Sequence, residues 1–339
     1  MAQQSILLDR SDKWDAICFP VESVQLQTLL PPDVQLLPAD RQLAIMGEMT
    51  PGTKSIFALQ STDYSLVPND LIRRLAERVF PQHKLDVRYT DRGEFSMNLI
   101  LPQGITISTQ KGLKDELYRT MIINNSYTGK TPFTLQGTSL KEYTQNTTEL
   151  KMRVSYYRKV CQNGLMGWAD DYLTLDEYLS WLANGKPKKY KDARRVTAPA
   201  LVEVNHQVGD LESELLVQKK YLHRGLNIEA FEQDLQKVFE AFNGQASSLT
   251  PDVYRQLAQV PAPPDRKKLI GEVGLPKMLA RTALERLEKE ERALETPANL
   301  WLVYNAVNYA LFNSRSSLTI NDRYRTDETA FHHLAALSA

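Results

Sequence analysis

The feature that most limits what this chain can fold into is a change of hydrophobic period along it. From residue 41 to about 168, apolar and polar side chains alternate in short runs: QLAIMGEM, SIFALQ, KLDVRYTD, EFSMNLIL, LYRTMIINN and LKMRVSYYRKVC. A period of two sorts side chains onto the two faces of a strand. After His206 the spacing becomes helical, over about 209–225, 227–243, 250–258, 264–294 and 297–313, with a break near Gly274 and Pro276. One helix interrupts the strands. It starts after Pro68, and Leu71, Ile72, Leu75 and Val79 take one face while Arg73, Arg74, Glu77 and Arg78 take the other.

Strands first and helices after define an α+β class rather than alternating βαβ units. Asp91-Arg92-Gly93 and Tyr127-Thr128-Gly129-Lys130 sit between alternating runs and read as hairpin turns, so the sheet is antiparallel. The expected architecture is an antiparallel sheet with one or two packed helices, followed by a mainly helical C-terminal region. Residues 1–40 carry Pro31, Pro32 and Pro38 and read as an irregular arm; 41–205 form the α+β core and 206–339 the helical region.

Composition removes several classes of function. The chain has 339 residues, with 41 basic side chains against 41 acidic ones, so any charged partner has to be met by a local patch. Cys18 and Cys161 are the only cysteines, too few to staple a secreted fold or build a zinc site. With no leader and no long apolar run, a cytoplasmic protein without membrane contact is expected. The sequons at Asn125 and Asn146 are then coincidental.

Candidate chemistry is sparse. Gly129-Lys130-Thr131 has the end of a phosphate-binding loop, but Asn124 stands where the first glycine belongs and Pro132 opens a strand, so it reads as a turn. His83, His206, His223, His332 and His333 show no metal-ligand spacing, and the His332-His333 pair reads as a solvated tail. Cys161 beside Arg158 and Lys159, or the lone His206, offers only a weak nucleophile; a cysteine ending a strand is usually a buried hydrophobe. Asp170 and Asp171 read as a helix cap. No catalytic motif survives, and no cofactor or metal is expected.

Nucleic-acid binding has the firmer footing. In the run from Lys151 to Cys161, Lys151, Arg153, Ser155, Tyr157 and Lys159 share one face, which is basic and aromatic. The segment NGKPKKYKDARR then sets Lys186, Lys188, Lys189, Lys191, Arg194 and Arg195 against Asp192 alone. Phosphates need clustered cations, and single-stranded bases need exposed rings to stack upon. By contrast, Arg266 to Glu295 mixes both signs as an exposed, ion-paired helix does.

The segments MIINNSYTGKTPFTLQG and RVSYYRKVCQNGLMGW resemble the phage/plasmid-like protein family of bacterial mobile elements, a domain of unknown function. The most specific part is the cluster Arg158, Cys161, Asn163, Gly164 and Leu165. YSLVPND at 64–70, VNH at 204–206 and LWLVYNAVNYAL at 300–311 are similar to further elements of that family, while Thr128 replaces its usual turn aspartate. The resemblance implies a mobile-element protein and carries no enzymatic activity with it. Physically, Val160 and Leu165 are expected to bury, Gly164 to permit the turn leaving the strand, and Asn163 to sit in the left-handed region.

The expectation is therefore a non-enzymatic DNA-binding protein that engages single strands and assembles as a homo-oligomer. Its contact residues are Arg153, Tyr157, Arg158, Lys159, Asn163, Lys188, Lys189, Lys191, Arg194 and Arg195. The competing expectation is an interaction factor without nucleic-acid binding. It assembles with itself or with a host or element-encoded protein through Trp301, Tyr304, Tyr309 and Phe312.

Overall fold

The computed structural model describes residues 8–38, 41–108, 114–129, 131–136, 138–143, 147–152, 155–158, 163–166, 219–244 and 249–338. Its centre is an eight-stranded antiparallel sheet. Strands β1 (Asp9–Ser11), β5 (Lys84–Tyr89), β6 (Glu94–Ser108) and β7 (Lys114–Ser126) lie side by side. The long β7 then serves two partners. Its first half pairs β11 (Ser155–Arg158) and, through it, β12 (Asn163–Met166); its end pairs β8 (Phe133–Gln136) and then β13 (Lys219–Tyr221). A smaller sheet is the meander β2 (Val21–Gln25), β3 (Gln42–Thr50) and β4 (Thr53–Ser61), and β9 (Thr138–Tyr143) pairs β10 (Thr147–Met152) separately.

The α+β, antiparallel reading is correct, with three local corrections. The arm is more regular than its prolines suggest: Arg10 pairs Arg88 and Val24 pairs Ala44, so β1 and β2 belong to the two sheets. The single strand expected over 150–161 is divided, because Met152 ends a hairpin with β9 whereas Ser155 is captured by β7. Period alone fixes a strand but not its neighbour, so Lys151 and Tyr157 lie in different sheets. Residues 219–221 are a strand instead of the end of a helix. Tyr221 pairs with Phe133 and packs edge-on against Phe133 and Phe231, a tertiary contact that overrides the local period.

Both faces of the central sheet are covered. Val87, Met97, Leu99, Met121 and Ile123 line the first face by register and are buried. Over it lie α1 (Asn69–Val79) and α2 (Ile228–Gly244), which bring Leu71, Ile72 and Leu75 together with Phe239 and Phe242. The opposite face is polar although buried: Asp86, Arg88, Ser96, Asn98, Thr120 and Asn124 alternate with the apolar set. It faces α6 (Leu300–Asn313) and α7 (Ile320–Ala336), where Ser96 Oγ meets Tyr324 Oη at 2.9 Å. Helix α3 (Leu249–Gln259) packs against β6 and α6, while α4 (Arg266–Glu272) packs on α5 (Lys277–Leu294), which in turn packs on α6.

Burying cations on that face requires acceptors, and helix ends supply them. Arg88 donates to the carbonyl of Phe312, and Arg323 to those of Leu311, Ser314 and Leu318. On the first face Arg119 from β7 does the same, donating to the carbonyl of Phe242 near the end of α2, with its guanidinium 4.3 Å from the Phe242 ring. The last carbonyls of a helix lack intrahelical partners and carry the negative end of the dipole, so each arginine neutralises a helix terminus it helps to bury.

Helix α6 is buried on every side, with only Tyr309 and Asn313 outside the buried set. Trp301, Tyr304 and Phe312 are therefore core residues and do not provide the assembly surface expected of them; Tyr309 lies against the Arg286 guanidinium at 4.6 Å. The histidine tail is likewise not solvated. His332 is buried in α7, and His333 lies 3.7 Å from Glu272. Among the described residues, no helix is long and apolar enough to cross a membrane.

Candidate nucleic-acid interface

Among the described residues a groove of about 1060 Å³ opens where β5 begins and β6 bulges. Its walls are Arg10 of β1, Trp14, the segment His83–Asp86, the bulge Ile100–Pro102, and Tyr118 of β7. Sequence explains the bulge: register passes from Ile100–Thr120 to Gly104–Tyr118, leaving Pro102 out of the ladder it cannot donate to. A Cβ on Gly104 would lie 3.0 Å from the carbonyl oxygen of Leu117, so the strand resumes at a residue without one.

Polar groups in the groove are firmly held. Arg10 Nε donates to Asp86 Oδ1 at 2.5 Å, and Arg88 Nε lies 3.8 Å from Asp86 Oδ2. Burial raises the Asp86 pKa, outweighing the lowering by these two arginines. Trp14 Nε1 donates to His83 Nε2 at 3.2 Å, and His83 Nδ1 meets the carbonyl of Phe80 at 2.7 Å. Both ring nitrogens are thus engaged by a neutral imidazole with its proton on Nδ1. Lys84 is exposed and makes no ion pair among the described residues. Asp12 and Glu77 stand at the rim, Glu77 held by Arg73 at 2.9 Å.

The groove adjoins the strand nominated by sequence. Tyr118 lines the groove and is also the register partner of Tyr157, which in turn faces Gly164; Arg158 pairs with Leu117 and with Asn163. The Arg158-to-Leu165 signature is thus a β-hairpin, closed by the Arg158–Asn163 pair. Asn163 begins β12 and Gly164 lies within it, so neither forms the turn expected of it, because pairing with β11 claims both. Arg153, Lys159, Lys188, Lys189, Lys191, Arg194 and Arg195 lie outside the described residues, as do Cys161, His206, Asp170 and Asp171. Arg10, Trp14, His83, Lys84 and Tyr118 escaped the sequence reading because they are dispersed singly; only the break at Pro102 hinted at an irregular end.

Two other motif elements are brought together by the fold. Tyr64 Oη donates to the carbonyl of Ser126 at 3.3 Å, Asn125 Nδ2 donates to Val67 O and Asn69 Oδ1, both at 2.8 Å, and the Asn69 amide donates to Tyr127 Oη at 3.0 Å. This buried knot fixes the start of α1 to the end of β7, a structural role for both elements. Asn308 of the terminal element is also structural: with Tyr304 it binds Asp327 of α7.

The molecule is thus an α+β protein with a doubly covered antiparallel sheet and a large groove at its end. The chain matches no protein-family model, and neither curated proteins nor solved structures give a match.

Proposed function

We propose that this chain is a single-stranded-DNA-binding protein of a phage, plasmid or other mobile element, acting without catalysis in annealing or protection. The observation that carries the proposal is the position of Tyr118. It belongs both to the groove holding Arg10 and Lys84 and to the ladder that aligns Tyr157 beside it. A strand of DNA following that line would meet the Tyr118 ring and the exposed Lys84 cation, and the basic segment 186–195 adds charge for the same partner. The covered sheet faces support an edge-bound, extended ligand over a duplex laid across the sheet.

The test is fluorescence anisotropy with labelled single- and double-stranded oligonucleotides at two salt concentrations. Expected is a salt-sensitive preference for the single strand. Tyr118→Ala should weaken it by about 1–3 kcal/mol, roughly 5- to 150-fold, as loss of one stacked base does. Replacing Lys188, Lys189 and Lys191 by Ala should flatten the salt dependence. Absence of binding at low salt refutes the proposal, and binding indifferent to Tyr118→Ala removes the groove from it.

A further inference from the structure

Trp14 and His83 meet in the wall of the groove although 69 residues separate them. An indole can only donate, so the 3.2 Å contact from Trp14 Nε1 makes His83 Nε2 the acceptor. A carbonyl can only accept, so the 2.7 Å contact to Phe80 O places the imidazole proton on Nδ1. The same carbonyl accepts from the His83 amide at 3.0 Å, which ties both ring and backbone to the end of α1. Every polar atom of the pair is used while the imidazole is neutral. A second proton has one place to go, Nε2, where it points straight at the indole N–H.

We propose that Trp14 and His83 form a proton-dependent site for one phosphate oxygen, an inference that rests on the proposed function and specifies how the groove takes a phosphate. Protonation leaves two N–H donors facing each other with no acceptor between them. A charged donor makes the stronger hydrogen bond, so the imidazolium tightens on Phe80 O and the indole is the group that gives way. Both rings line the groove, so the space into which they part opens to its contents. An oxygen placed there accepts from both donors, and an anionic one also matches the new positive charge. The neighbouring charges suit such a ligand. Lys84 is exposed next in sequence, so protonated His83 puts two adjacent cations at the groove. Of the acids nearby, Asp86 is engaged by Arg10, while Glu77 and Asp15 are both held by Arg73 at 2.9 Å; Asp12 stands at the rim. A phosphodiester and free phosphate offer the same oxygen, and the experiment separates them.

The indole N–H resonance of Trp14 in the nitrogen-15-labelled full chain reports on the pair, identified among the four tryptophans by its absence in Trp14→Phe. Lowering the pH from about 8 to about 5.5 should carry it through one transition, which His83→Gln should abolish. At the acid end, inorganic phosphate or a short oligothymidylate should shift it further; at the alkaline end inorganic phosphate should leave it unmoved. Oligothymidylate affinity should rise at least about tenfold between the two pH values, as one added charged hydrogen bond provides, and His83→Gln should flatten that rise. An indole signal that ignores pH in the unaltered protein overturns the proposal whether or not DNA binds. So does a signal that titrates but answers neither probe at acid pH, or an acid gain in affinity that His83→Gln retains in full. A response to inorganic phosphate at acid pH, with no oligothymidylate bound at either pH, supports the site and refutes the DNA reading instead.

Discussion

Replacing Gly93 by alanine tests how the two sheets are joined, because the structure supplies its own controls. Gly52, Gly93 and Gly274 adopt φ of 79°, 79° and 81°. For any residue with a Cβ, that region costs about 1–2 kcal/mol. At Gly52 and Gly274 a new Cβ would meet nothing within 4 Å, so Gly52→Ala and Gly274→Ala should cost that backbone term alone. At Gly93 the Cβ would lie 2.9 Å from Phe57 Cδ1 and 3.3 Å from Cγ and Cε1. Phe57 has little room to yield, its ring centroid being 5.9 Å from that of Phe19 and 5.7 Å from that of Tyr127. Overpacking adds about 1–3 kcal/mol, giving roughly 2–5 kcal/mol in all. Urea unfolding of the three variants measures the difference, and Phe57→Ala in the Gly93→Ala background should recover most of the excess, a non-additivity expected of residues in contact. If Gly93→Ala costs no more than its two controls, the hairpin tip does not press on Phe57 and the described junction between the sheets is wrong.

Burial pushes the Cys18 thiol up to about 12, with Arg73 opposing. In a Cys161→Ser variant a thiol reagent near pH 8 should find about 1000-fold less thiolate at Cys18 than in a free thiol of ordinary pKa, and labelling within tenfold of free cysteine would count against that burial. His223, stacked on Tyr64 at 4.9 Å with Nδ1 donating to Ser65 O, has its pKa lowered by burial. The unfolded chain then binds the extra proton first, so stability should fall as pH drops through about 6.5, by at most about 1.4 kcal/mol per unit. His223→Phe should flatten that slope in denaturation curves between pH 7 and 5, and an unchanged slope assigns it elsewhere. Glu295 closes α5 at φ 49°, with its amide bonded to Arg292 O and that of Thr296 to Glu291 O. Glu295→Gly should raise stability by about 1 kcal/mol, read as a higher melting temperature, and a loss would mean the Glu295 side chain outweighs its backbone strain.

Sequence made the strands from 42 to 126 and most helices legible because their periods were undisturbed. Helix α7 was missed for a physical reason. Its Arg323, Asp327 and Glu328 interrupt the apolar period that marks a helix, yet all three are buried, Arg323 against helix-end carbonyls and Asp327 against Tyr304 and Asn308. The polar face of the central sheet has the same origin: Asp86, Arg88, Ser96 and Asn98 announce a solvent side that α6 and α7 in fact cover. Of the candidate site, sequence supplied Tyr157, Arg158 and Asn163, but their neighbour Tyr118 is identified only by register, and Arg10 only by the return of the arm to β5.

The arginine caps also bear on where any ligand can act. Arg88, Arg119 and Arg323 are strong candidates for anion contacts by residue type, but their guanidinium groups are committed to the carbonyls of Phe312, Phe242 and Leu311. Diverting one to a phosphate would strip a helix terminus of its cation and leave buried carbonyls unsatisfied, at roughly 1–3 kcal/mol for each such group. A fold that spends its central arginines on closing its own helices must meet a polyanion with cations at its margins. At the groove Lys84 is such a cation, whereas Arg10 is already paired with Asp86. The proposed function therefore implies that substitutions of the central arginines act on stability, and that affinity is tuned at the sheet's end.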